Sequence, residues 1–209
     1  MTLEQMNWFL KTLAAYRPIL NTKQMSALER MLDALAAGAG RTAAQEYAEL
    51  FYLLRAGGYR GLGDRLYDAL RDGGFPYADL VERGGRDREL EAAAEREIGL
   101  FRALAELDCG ALIAAVRRAP PEELNPAAET LPRWETDCPF TFESLTEFYR
   151  THGTGVFARC RAFLWEGGTL LPVWEPDCPG PEEMLGYELQ RDQVETNTRA
   201  LLEGRAVNN

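Results

Sequence analysis

Four cysteines, one histidine, two serines and two lysines bound the chemistry open to this chain of 209 residues. A structural zinc takes thiolate and imidazole ligands, which usually arrive in closely spaced pairs. Cys109, Cys138, Cys160 and Cys178 contain no C-x-x-C pair, and His152 is the one histidine that could join them. Reduced, mostly buried thiols are the plainer reading. A serine triad has little to draw on, because Ser26 and Ser144 are the only serines and no Gly-x-Ser-x-Gly elbow occurs. A P-loop needs Gly-x-x-x-x-Gly-Lys-Ser/Thr, since its lysine neutralises phosphates and its hydroxyl holds magnesium. Lys11 and Lys23 are the only lysines and neither follows a glycine, so these residues contain no P-loop.

Two patterns come nearer to a site. Gly58, Gly61 and Gly63 have the look of a nucleotide loop, but no strand precedes them and Leu66 stands where a third glycine belongs. A turn joining two helices fits better. Trp134-Glu135-Thr136-Asp137-Cys138-Pro139 and Trp174-Glu175-Pro176-Asp177-Cys178-Pro179 share W-E-x-D-C-P. That echo would suit a ligand set of two thiols and two carboxylates, or simply two similar turns. The acidic pairs Glu122-Glu123 and Glu182-Glu183 are adjacent rather than facing, as on a solvated surface.

The elements that must position these residues are mostly helical. Leu3, Met6, Phe9, Leu10 and Leu13 recur at helical spacing behind Thr2, and Met25, Leu28, Met31, Leu32 and Leu35 do so behind Asn21 or Thr22. Tyr47, Leu50, Phe51 and Leu54 mark a third helix, ended by Gly57-Gly58. Shorter helices follow near 64–70 and 77–81, then one from about Asp87 to Leu107 and one over Gly110 to Arg117. Connections this short predict an irregular bundle or array over 1–118. Its apolar stripes are core, or, on a sharper reading, a partner groove. Four prolines in 119–133 predict a linker. Beyond it, the sequence predicts a helix capped by Thr141 or Ser144, a hairpin over Phe157–Trp165 and Thr169–Val173 turning at Gly167-Gly168, and a closing helix with Tyr187, Arg191, Val194, Thr198 and Leu201 on one face. The expected fold is therefore mainly α, with a small α+β segment over 134–209.

Hydrophobic residues make up 46% and charged residues 27%, which suits a folded globular chain. The net charge of -10 argues against a phosphate-backbone partner, and nearly all the positive charge is arginine, with no local basic patch. No run of about 18 apolar residues exists. The start, Met1-Thr2-Leu3-Glu4-Gln5, lacks the form of a secretion signal, so a cytoplasmic location without membrane association is expected.

The last third resembles a known family. Leu131-Pro132, Trp134-Glu135, Pro139-Phe140-Thr141-Phe142-Glu143, Leu145-Thr146, Phe148-Tyr149, Gly153, Gly155 and Phe157-Ala158-Arg159 look like the upstream segment of an uncharacterised bacterial family of AAA-type P-loop ATPases. So do Ala162-Phe163, Trp165, Gly186-Tyr187-Glu188, Gln190-Arg191, Val194, Asn197-Thr198, Leu202, Gly204, Ala206 and Asn208-Asn209. In that family Asn-Asn leads into the strand and loop of Walker A. The resemblance implies a helical N-terminal region for regulation or partner contact, followed by the lead-in to a nucleotide-binding core. ATP and Mg would belong to the full-length protein, and this chain alone would not hydrolyse ATP. It further implies that Leu185, Gly186 and Tyr187 lie beside the adenine in the full-length protein, where a glycine backbone can approach a ligand closely. The other reading of these three is a helix-start glycine with Tyr187 in the core. The closing helix is expected to pack on this chain or on a second copy. A self-contained helical scaffold or adaptor, unrelated to nucleotide, is the alternative function.

Overall fold

The computed structural model describes residues 1–119, 128–177, 180, 183 and 185–205. Among them the chain is mainly helical with one antiparallel hairpin, and it divides into two compact units, Met1–Cys160 and Arg161–Asn209.

In the first unit, α1 (Leu3–Lys11) opens on a capping box: the Gln5 N–H donates to Thr2 Oγ1 at 3.2 Å, and the Thr2 N–H donates to Gln5 Oε1 at 2.9 Å. A 3-10 turn over Arg17–Asn21 leads to α2 (Lys23–Ala36), capped by Thr22 rather than Asn21. Gly38, at φ 68°, closes α2 in a Schellman arrangement, with Gly38 N–H on Leu35 O and Ala39 N–H on Ala34 O. The chain then returns as α3 (Gly40–Ala56). Arg30 pairs with Glu46 and Gln24 Nε2 donates to Leu53 O, a set of partners that makes α2 and α3 antiparallel.

The next helices are α4 (Leu62–Arg71), α5 (Pro76–Glu82), α6 (Arg88–Ala105), α7 (Cys109–Arg118), α8 (Phe142–His152) and the short α9 (Val156–Arg159). Asp87 caps α6 and Asp108 caps α7; Thr141 and Ser144 cap α8 reciprocally, so both residues expected at that terminus take part. One apolar core joins α1–α8, built from residues such as Leu10, Tyr16, Leu28, Tyr47, Leu66, Phe101 and Leu112.

The boundary expected at 119–133 is not where the structure divides. Trp134, Phe140, Leu145 and Tyr149 lie in the same core as α1–α7, and the compact unit runs on to Cys160. Ala128 is buried against Ala34, Ala43 and Val116, so the chain is back on the helical body before the supposed second domain begins. Residues 120–127, where three of the four prolines stand, lie outside the described set.

In the second unit β1 (Ala162–Glu166) pairs with β2 (Thr169–Val173), from Ala162↔Val173 to Glu166↔Thr169. Gly167 and Gly168 have φ of 57° and 83°, the positive values that a two-residue hairpin turn requires. The first strand is shorter than expected because Val156–Arg159 forms α9 instead. Counting from the closing pair, Phe163↔Pro172 is a non-hydrogen-bonded pair, so Pro172 sits where its missing N–H would have pointed away from β1. The final helix, α10 (Glu188–Leu202), ends on Gly204 at φ 69°, with Gly204 N–H on Leu201 O and Arg205 N–H on Ala200 O.

Candidate functional site

Leu185, Gly186 and Tyr187 form the approach to α10 rather than part of it. Gly186 adopts φ 82°, Tyr187 is the N-cap residue, and the Gly186 N–H donates to Glu188 Oε1 at 3.1 Å. The N–H groups of Glu188 itself and of Gly186 hold the Glu188 carboxyl below the usual carboxylate range. Leu185 is 81% and Tyr187 60% exposed, so Tyr187 is not a core residue. No residue of α10 is buried.

The glycines that resembled a nucleotide loop serve a different purpose. Residues 133–140 run as an extended strap across the start of α4, where the Glu135 N–H donates to Arg60 O at 3.0 Å. A Cβ on Gly61 would stand 1.9 Å from the Glu135 carbonyl oxygen, and one on Gly63 would stand 1.7 Å from that of Asp137. Only glycine permits so close a backbone approach. Arg60 reinforces it, pairing with Asp64 at 3.0 Å and with Glu135 at 3.3 Å.

The first W-E-x-D-C-P copy is this strap. Trp134 is buried and stacks on Tyr47 with ring centroids 4.8 Å apart, while its backbone N–H reaches Cys109 Sγ at 3.4 Å. The Tyr47 hydroxyl donates to Pro132 O at 2.8 Å. Phe140 stacks on Tyr67. In the second copy Trp174 is exposed, and Cys178 and Pro179 lie outside the described residues. Cys109, Cys138 and Cys160 take part in no disulfide, and among the described residues no group of three or more His, Cys, Asp or Glu is placed to hold a metal.

Neither serine has the setting of a nucleophile. Ser26 Oγ donates to Leu20 O, and Ser144 Oγ belongs to the α8 cap. His152 stacks on Phe148 at 5.0 Å, with Nδ1 2.7 Å from Thr151 Oγ1.

The buried titratable groups are also committed to the fold. Glu97 on α6 accepts hydrogen bonds from the N–H groups of Ala14, Ala15 and Tyr16 at 2.8 to 3.2 Å, fixing the turn after α1. Burial raises the Tyr16 phenol well above its ordinary value, helped by Tyr149, whose hydroxyl lies 3.5 Å away. Burial raises Tyr149 as well, and its hydroxyl donates to Leu70 O at 3.0 Å.

Two of the clefts lined by described residues indent the first unit. One, of about 380 Å³, lies between α5, α6 and α8, where the Tyr77 and Thr146 hydroxyls meet at 2.9 Å beside Arg86, Glu91 and Arg150. Burial raises the Tyr77 phenol, so it is a donor rather than a base. The other, of about 450 Å³, lies between α1, α2 and α7 and is lined by Leu3, Leu32, Leu35 and Ala115, with Glu4 and Arg118 among its polar members. No nucleophile, base and oxyanion donor converge in either lining.

Compared with protein-family models, with curated proteins and with solved structures, the chain matches none. Among the described residues no helix is long and apolar enough to cross a membrane.

Proposed function

We propose that this chain is the N-terminal regulatory or partner-binding region of a bacterial AAA-type ATPase, cytoplasmic and without catalytic activity on its own. The observation that carries this reading is the contrast between the units. The first has a continuous core, whereas no described residue from 161 to 205 is buried, although this stretch bears Trp165, Leu171, Leu189, Val194 and Leu201. A two-stranded hairpin and a lone helix with that composition need cover from another body. The residue pattern of 131–209 supports an ATPase core as that body, with Leu185, Gly186 and Tyr187 on its adenine side. Their exposure leaves them open to such a contact.

ATP and Mg would then be held by residues outside these 209, since no lysine here follows a glycine. The deciding experiment reads the gene beyond codon 209 and assays the purified chain. A strand and Gly-x-x-x-x-Gly-Lys-Ser/Thr within about twenty residues, with no hydrolysis by residues 1–209, is the expected result. Saturable ATP hydrolysis by the pure chain, or a stop codon at that point, would overturn it, the stop codon favouring the self-contained scaffold.

A further inference from the structure

In the cleft of about 380 Å³ between α5, α6 and α8, charges of opposite sign stand open over an apolar floor. The floor is Leu80, Val81 and the ring of Tyr77, a buried residue that stacks on Phe142 with ring centroids 5.6 Å apart. Gly84, at φ 68°, ends α5 there, and the Gly85 N–H returns to Leu80 O at 2.9 Å, so the loop folds back and leads into Arg86. Arg86 and Glu91 both line the cleft, and among the described residues neither has an ion-pair partner. They face the same space but stand too far apart to neutralise each other. Asp87 is engaged elsewhere, since its Oδ1 accepts from the Glu89 and Leu90 N–H groups at 3.0 and 3.1 Å in the α6 cap.

The hydroxyls supply one further acceptor. Thr146 has a single hydroxyl hydrogen and gives it to Phe142 O at 2.8 Å, so Tyr77 is the donor in the 2.9 Å contact between the two hydroxyls. The Tyr77 oxygen is left with a lone pair and no hydrogen to offer. Charges of both signs act on it: the Tyr77 phenol, raised chiefly by burial, feels Glu91 and Arg150 in opposite senses. On the α8 side, Arg150 is tied to Glu147 through Nη1 and keeps its remaining guanidinium N–H groups.

We propose that this cleft binds a free α-amino acid with an apolar side chain. Its ammonium lies between Glu91 and the Tyr77 oxygen, its carboxylate between Arg86 and Arg150, and its side chain on Leu80 and Val81. A lone anion would meet Glu91 as well as the arginines, and a lone cation would meet the arginines as well as Glu91; a zwitterion pairs with both. The volume is at the small end of ligand pockets, roughly 300–1,000 Å³, as suits a ligand of this size. The site lies wholly in the first unit and does not depend on the ATPase reading.

Titration of the isotope-labelled whole chain with L-leucine and with L-phenylalanine, followed through backbone amide shifts, tests it. At least one should saturate with a Kd of about 0.1–1 mM, as expected of so small a ligand, with the shifts centred on residues 77–91 and 142–150. The counterparts without the amino group, isocaproate and phenylpropionate, and those without the carboxylate, isoamylamine and phenethylamine, should each bind at least about 10-fold more weakly. Glu91→Gln should weaken the amino acid by about 10-fold while leaving the deaminated counterpart unchanged, and Arg86→Gln should do the same while leaving the amine unchanged. Both side chains are exposed, so each variant should melt with the parent. No saturable shift with either amino acid at tens of millimolar, a deaminated counterpart that binds as tightly as its amino acid, or a Glu91→Gln chain that binds like the parent would overturn the proposal. None of these results would bear on whether an ATPase core follows in the gene.

Discussion

Gly63→Ala tests the strap most directly, because two physical arguments predict opposite signs. By helix propensity alone, alanine within α4 stabilises by up to about 1 kcal/mol. By geometry, the new methyl carbon would stand 1.7 Å from the Asp137 carbonyl oxygen, 2.9 Å from its carbon and 3.3 Å from Pro139 Cδ. Carbon and oxygen come no closer than roughly 3.3 Å without strain, so the strap must retreat by about 1.5 Å. It is not free to do so. Glu135 is tied to Arg60 O at 3.0 Å, Trp134 is stacked on Tyr47, and Phe140 is 2% exposed against Tyr67. Overpacking alone costs about 1–3 kcal/mol, and lifting either aromatic approaches the roughly 3–5 kcal/mol of an aromatic truncation. The expected net loss is about 3 kcal/mol, a fall in melting temperature of roughly 6–12 °C for a unit of this size. Urea and thermal unfolding followed by circular dichroism would measure it. Gly99→Ala is the control, since Gly99 lies in α6 with nothing within 4 Å of its would-be Cβ, and it should stabilise slightly. A Gly63→Ala chain as stable as the parent would refute the close approach of strap and helix.

Glu97→Gln should cost about 2–3 kcal/mol in urea unfolding, because three backbone N–H groups lose a charged acceptor inside the core. Asp64 makes stability depend on pH at the acid end: the Arg60 side chain, and then the Arg60 N–H, hold its carboxyl below the ordinary value. Its contribution is therefore complete above the unfolded Asp value of about 3.9 and is lost as pH falls through the lower folded value. The stability gap between the parent and Asp64→Asn should close on acidification. At the alkaline end, burial keeps Tyr16 and Tyr149 protonated in the fold, so their contribution is present below the unfolded value of about 10 and is lost as pH rises beyond it. Tyrosinate absorbance should then appear together with loss of helix, and a Tyr16→Phe chain should unfold at higher pH; titration of both phenols within a still-helical chain would contradict this.

The helices and the hairpin turn are legible because their signals are local. Thr2, Thr22, Asp87 and Thr141 each cap the helix that follows, and Gly167-Gly168 turns the hairpin. The strap is illegible for the opposite reason. Trp134 and Phe140 lie in a proline-bearing stretch without periodicity, and their burial is decided by Tyr47 and Tyr67 on helices far away in the chain. Gly61 and Gly63 carried a real signal of close approach, but the ligand is the chain's own backbone rather than a phosphate. The aromatic residues flanking Cys138 were the available hint that this segment is packed. The apolar step of Val194 and Leu201 suggested a core face, and both are exposed. Periodicity reports what a helix can bury, while burial itself depends on another surface being present.

Where the chain can be cut follows from the same packing. A chain ending at Arg118, the limit of the helical region expected from sequence, would lose Trp134, Phe140, Leu145 and Tyr149, all of them buried. At about 1.5–3 kcal/mol for each large apolar side chain removed from the core, that loss is of order 6–12 kcal/mol, comparable to the roughly 5–15 kcal/mol total stability of a domain. It would also strand Tyr47, whose hydroxyl bonds to Pro132 O and whose ring stacks on Trp134. A chain ending at Cys160 loses none of the described core. The expected result is that residues 1–160 melt within a few degrees of the full chain, whereas residues 1–118 show no cooperative transition. If 1–118 unfolded as sharply as 1–160, the strap and α8 would be attachments to a separate helical domain, and a hinge in the proline-rich stretch would again be tenable. If 1–160 failed to fold, the second unit would be supplying cover to the first.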